Sequence, residues 1–204
     1  MMDPVVQLIG RGALALLFGW SAAHKLRDVD AFRAALEGYD LLPPLWAVPA
    51  GAVLIGSEVG LATGLLLPPV APVAALGGAA LLVLYAGAMA VNLRRGRRDI
   101  DCGCGGPAGR QPISGALVGR NIVLAMAAIG SALPAHSRSL TWVDGATIVL
   151  AVLTVSLLYA AIDGLLRNTR DYSPQRDAEG GRGAGHNLLA PLRSSASSAV
   201  NQSQ

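Results

Sequence analysis

Five long apolar blocks decide what this chain can fold into. They lie at about residues 5–23, 46–67, 71–93, 114–133 and 143–166. Each is close to the roughly 20 residues that a helix needs to cross about 30 Å of hydrocarbon. With no water in that layer, every backbone N–H and C=O must find its partner within the protein, and a helix does so within one segment. Hydrophobic residues are 52% of the chain and charged residues 14%, a composition outside the range of soluble domains. The expected fold is therefore an all-α integral membrane protein, a bundle of four to five transmembrane helices occupying residues 1–166.

The second and third blocks are separated only by Pro68-Pro69-Val70, so they should form a tight antiparallel hairpin. The first block reads as a retained helix rather than a signal peptide, because its start, MMDPVVQ, carries Asp3 and no Lys or Arg. Between the first and second blocks, Val29, Phe32 and Leu36 recur at i, i+3 and i+7 among charged residues. That pattern suits an amphipathic helix lying in the membrane interface, stopped by Gly38 and Pro43-Pro44. Residues 167–204 lose the apolar blocks and are rich in Ser, Gly and Gln, and are expected to be a disordered polar tail.

The net charge of +3 would suggest nucleic acid in a soluble protein. Here the cations sit in loops and tail, so they report orientation in membrane lipid and no nucleic acid partner is expected. In a five-helix chain, residues 24–45, residues 94–113 and the tail share one side and hold thirteen Lys and Arg, against Arg138 on the other. The count places the 94–113 loop and the C-terminus in the cytoplasm.

That loop contains DCGCGG, with both cysteines of the chain, Cys102 and Cys104, at i and i+2. A disulfide needs Cα atoms about 4.4–6.8 Å apart, which this spacing meets only in a bend, and Gly103, Gly105 and Gly106 allow one. Such a bond would be strained and readily exchanged. Arg94, Arg95, Arg97 and Arg98 favour a thiolate and Asp99 and Asp101 oppose it. The pair could also take Cu(I) or Zn(II), but a closed zinc site needs four ligands and no such metal site is expected. Cytoplasmic thiols are normally held reduced, so a cytoplasmic loop and a lasting disulfide conflict.

Inside the second block, Gly56, Gly60 and Gly64 recur every four residues and would let another helix come close. Glu58 points about 200° away from that stripe, and an intramembrane carboxylate needs a partner. Counting rise per residue from the loop side puts Glu58 and Arg11 both at roughly 18 Å, and Arg120 at about 9 Å. Arg11–Glu58 is the expected buried pair, with Arg120 as the alternative partner. Such a pair would fix helix register, or Glu58 would carry protons. Arg120 and Asn121 would form, with Asn92, a polar cluster beneath the thiols, Arg120 tuning their charge.

The order of these motifs resembles the methylamine-utilisation protein MauE family and its DoxX-like relatives. The resemblance rests on GWSAAHKLRDVDAFRAALEGYDLLP after the first block, the acidic residue of GSEVGLATGLLL in the second, and DCGCGG followed by GRN in the fourth. It covers roughly residues 5–166, and Gly105 stands where the family commonly has Phe. It implies a multi-pass protein that assists maturation, transport or disulfide formation of a partner such as a methylamine dehydrogenase subunit. Cys102 and Cys104 would then be the catalytic pair of a thiol–disulfide oxidoreductase, with a client protein or thiol-redox partner. With one cysteine pair instead of two, electrons would pass directly to a membrane quinone or a separate redox protein, although no quinone site is readable. The alternatives are a soft-metal or small-solute transporter and a non-catalytic membrane scaffold.

Overall fold

A computed structural model of the chain describes residues 3–103, 112–134 and 138–186. The described residues form six α-helices: α1 (Pro4–Arg27), α2 (Val29–Gly38), α3 (Ala47–Leu66), α4 (Ala71–Arg94), α5 (Gly115–Ala132) and α6 (Trp142–His186), with a short 3-10 turn at Pro44–Trp46 before α3. Five of them are long and apolar enough to cross a membrane, and α2 is the short helix after the first span. Their outer faces carry exposed Val53, Val73, Leu84, Val123, Met126 and Leu157. Water would not tolerate so continuous an apolar surface, and lipid does. The chain is a multi-pass helical membrane protein.

Local chemistry sets the helix ends. Asp3 accepts the Val5 amide at 2.8 Å with Pro4 in the first turn of α1, as N-termini favour. Asp28 then accepts the Ala31 amide at 2.9 Å and starts α2. α1 therefore runs one turn beyond the apolar block, through Lys25 to Arg27. Ser114 caps α5 through the Leu117 amide.

α4 is the central helix. Ala71, Ala75 and Ala79 follow one another at four-residue spacing and are buried, continuing in Leu82, Ala86 and Met89. It packs most extensively on α5, then on α3, while α1 packs chiefly on α3. In lipid such packing rests on close van der Waals approach. A β-carbon placed on Gly78 would stand 2.9 Å from the Phe18 ring, and one on Gly77 would stand 2.9 Å from Leu61. The α3 glycine stripe behaves otherwise. Gly64 would meet Ala74 at 3.0 Å, whereas Gly56 and Gly60 have no neighbour within 4 Å, so only the end of the stripe carries a helix contact.

Residues up to Leu158 form one compact unit and those from Tyr159 a second. In the first, Gly12 lies against Val152 of α6. α6 is helical to His186 and so includes residues 167–186 of the expected polar tail. Extending a formed helix adds one hydrogen bond per residue without a new nucleation cost. Residues 187–204 of that tail lie outside the described residues.

Candidate functional site

The buried stripe of α1 reads Gln7, Arg11, Leu14, Phe18, Ala22 and Lys25, steps of three and four that keep one face inward. Its last member supplies the partner of Glu58. Lys25 Nζ forms an ion pair with Glu58 Oε1, the side chains 1% and 0% exposed. The same oxygen accepts the Ser21 hydroxyl and the Tyr85 hydroxyl, each at 2.9 Å. Lys25 also reaches Ser21 Oγ at 3.2 Å and Tyr85 Oη at 3.3 Å. Its ammonium lies 5.1 Å from the Phe32 ring centre and 4.9 Å from that of Tyr85, within range of cation–π attraction. Four elements, α1 to α4, thus meet at one charge-neutral cluster. Glu58 Oε2 has no hydrogen-bond partner among the described residues.

The expected Arg11–Glu58 pair is not formed. The Arg11 guanidinium donates from Nε to the Ser131 carbonyl at 3.2 Å, and the Gln7 amide donates to the Leu133 carbonyl. Both satisfy carbonyls at the C-terminal end of α5, which lack helical partners and carry the negative end of the helix dipole. The extra turn of α1 explains the difference. It moves Arg11 roughly 6 Å farther from the loop side and brings Lys25 into the helix. The alternative partner, Arg120, does not hold Glu58 either; it is half-buried on α5.

The cysteine loop begins from a narrow neck. The Ile113 amide donates to the Ile100 carbonyl at 3.0 Å, and Asp101 and Pro112 form an antiparallel bridge. Cys102 follows at once and is buried with Tyr39, Met89, Ile113 and Leu117. The Tyr39 hydroxyl donates to the Cys102 carbonyl at 3.4 Å. Gly103 has φ +70° and donates its amide to Asp101 Oδ1 at 3.2 Å, a left-handed turn suited to glycine. A β-carbon there would lie 3.6 Å from both Ala35 and Phe32 of α2. Outside the neck, Arg97 pairs with Asp40 at 3.1 Å. Cys104 lies outside the described residues.

Asn92 and Asn121 are both buried, and each donates back to its own helix, to the Ala88 carbonyl at 3.2 Å and the Leu117 carbonyl at 2.9 Å. Aromatic and aliphatic side chains pack around Cys102. What joins thiol and charge is a cavity of about 340 Å³, whose wall includes Cys102, Gly103, Phe32, Lys25 and Tyr85.

The family model described as methylamine utilisation protein MauE matches residues 3–134, which include Lys25, Glu58, Tyr85 and Cys102. The chain is 43% identical over 162 residues to the methylamine utilization protein MauE of Paracoccus denitrificans, covering 78% of this chain and 86% of that one. It is 38% identical over 174 residues to the protein of the same name from Methylorubrum extorquens, covering 83% and 94%. A third such protein, from Methylophilus methylotrophus, is 34% identical over 167 residues, covering 79% and 86%. No solved structure matches the chain. Because the likeness runs through the whole bundle that builds the cluster and the neck of the cysteine loop, the chain belongs to the methylamine utilisation protein MauE family.

Proposed function

We propose that the chain is a membrane thiol–disulfide component of methylamine utilisation that assists the maturation of a partner protein, with Cys102 and Cys104 as the exchanging pair. The observation that carries this reading is the seat of Cys102. A pinched neck fixes it at the end of the bundle, and the left-handed turn at Gly103 bends the chain immediately before the second cysteine. That bend is what a bond between residues i and i+2 requires.

The exchange balances without another reagent. A thiolate of the partner attacks the Cys102–Cys104 bond, giving a mixed disulfide; the partner's second thiolate then closes its own S–S bond and leaves both loop cysteines reduced. Two electrons pass from the partner to the loop.

Single Cys102→Ser and Cys104→Ser variants test the reading. In one of them the remaining thiolate should attack the S–S bond of the oxidised client and hold it as a mixed disulfide, visible on a non-reducing gel and lost with reductant. The double variant should leave a methylamine dehydrogenase subunit incompletely oxidised. Full maturation of that subunit with both cysteines replaced would overturn the proposal.

A further inference from the structure

The cavity beside Cys102 does not end at the Lys25 cluster. Along α3 it takes Ala50, Val53 and Leu54, and along α4 it takes Leu84, Tyr85 and Met89. A second depression, open on the lipid-facing side, takes Ser57, Gly60 and Leu61 of α3 and Gly77, Ala80 and Leu84 of α4. Leu84 borders both. Because α3 and α4 are antiparallel, the depression lies next to the cavity along their seam, farther from the cysteine loop and toward the middle of both spans. Its floor is low because Gly60 carries no side chain and has open space beside it.

The two parts select different chemistry. The cavity, about 340 Å³, falls within the roughly 300–1,000 Å³ of small-molecule sites. Two aromatic rings, Phe32 and Tyr85, flank its one ammonium group, which suits a flat ring. Lys25 is already neutralised by Glu58, so the site offers no net positive charge to a phosphate headgroup. It does offer donors: the Lys25 contacts to Ser21 and Tyr85 are long, at 3.2 and 3.3 Å, and an N–H can turn from either to a neutral carbonyl oxygen. The lipid-facing groove, lined by aliphatic residues and glycine, suits a linear hydrocarbon tail.

We infer that these adjoining cavities bind a membrane quinone, the ring in the cavity beside Cys102 and the tail in the α3–α4 groove. The inference deepens the dithiol reading, on which its electron transfer rests, though binding does not depend on it. In the step it supports, Cys102 and Cys104 lose their two S–H hydrogens and form the S–S bond. Two electrons and two protons end on the two oxygens of the quinone, giving the quinol, so the loop is reset for its next partner. An N–H of Lys25 orients the oxygen nearest the thiols.

The full-length protein in lipid nanodiscs, titrated with decylubiquinone and followed by tryptophan quenching, tests the site. Saturable binding is expected, at least tenfold weaker in Ala88→Phe, which fills the cavity, and unchanged in Val123→Phe on the exposed face of α5. A photoreactive quinone on the wild-type protein should label the α2, α3 and α4 segments of the cavity, a result that needs no variant to fold. Absence of saturable binding, or labelling confined to other helices, overturns the site. So does recovery of only phospholipid from it. Quinone binding and partner maturation are measured separately on the wild-type protein, so saturable binding without thiol-dependent maturation would sink the dithiol reading alone, and maturation without saturable binding would sink the quinone site alone.

Discussion

Lys25 and Glu58 are buried against each other and against two hydroxyls. The cost of burying both charges is recovered only while both are present, so removing one leaves an uncompensated ion, typically worth about 3–5 kcal/mol. Lys25→Met and Glu58→Leu are each expected to destabilise the bundle by that amount, measured as thermal unfolding in detergent. The double variant should recover most of the loss, because an apolar pair needs no compensation; equal damage in single and double variants would show that the pair is not the coupled unit. Glu58 was legible in the sequence as a buried carboxylate needing a partner. Lys25 was not, because the apolar block ends at Ala23 and the lysine reads as a loop cation. The missed signal is periodic: Arg11, Leu14, Phe18 and Ala22 lead by steps of three and four to position 25. An amphipathic stripe can therefore continue inward past the point where hydropathy falls.

At the level of elements, hydropathy revealed the spans because each must be apolar along its length, but it did not show which faces meet. Glycine spacing pointed to Gly56, Gly60 and Gly64, and only Gly64 lies at a helix contact. A close approach is made at Gly78, whose missing side chain admits the ring of Phe18, itself 2% exposed. A ring so enclosed cannot swing aside. Gly78→Val is thus expected to cost about 1–3 kcal/mol through overpacking, seen as a lower unfolding temperature by circular dichroism. Gly56→Val faces open space and should leave that temperature within a degree or two of wild type. Equal effects at the two positions would mean that helix propensity, not the α1–α4 contact, governs the response. The distinction was hidden in the sequence because packing partners come from other helices, while a four-residue spacing describes one helix alone.

Across the whole molecule the charge distribution predicts direction in the membrane. The ends of α1 and α4, the start of α5 and the cysteine loop share one end of the first compact unit, with Arg94, Arg95, Arg97 and Arg98 exposed there. At the other end stands Arg138, and it is held by two carboxylates, Asp144 at 2.8 Å and Asp3 at 3.5 Å. Positive residues near span ends are retained in the cytoplasm, so the cysteine end should face inward. Reporter cysteines at the exposed positions Arg98 and Ser139, placed one at a time in the Cys102→Ser/Cys104→Ser background, make this measurable with a membrane-impermeant maleimide. Arg98→Cys should react only after the cells are opened, and Ser139→Cys in intact cells; the reverse pattern would overturn the orientation. An inward loop has a chemical consequence for the dithiol. The cytoplasmic thiol pool reduces it continually, so its disulfide exists only while an acceptor withdraws electrons. Depleting quinone in living cells should then shift Cys102 and Cys104 to the reduced form, read as a gain of two alkylatable thiols. A redox state indifferent to quinone would show that the electrons leave by another path.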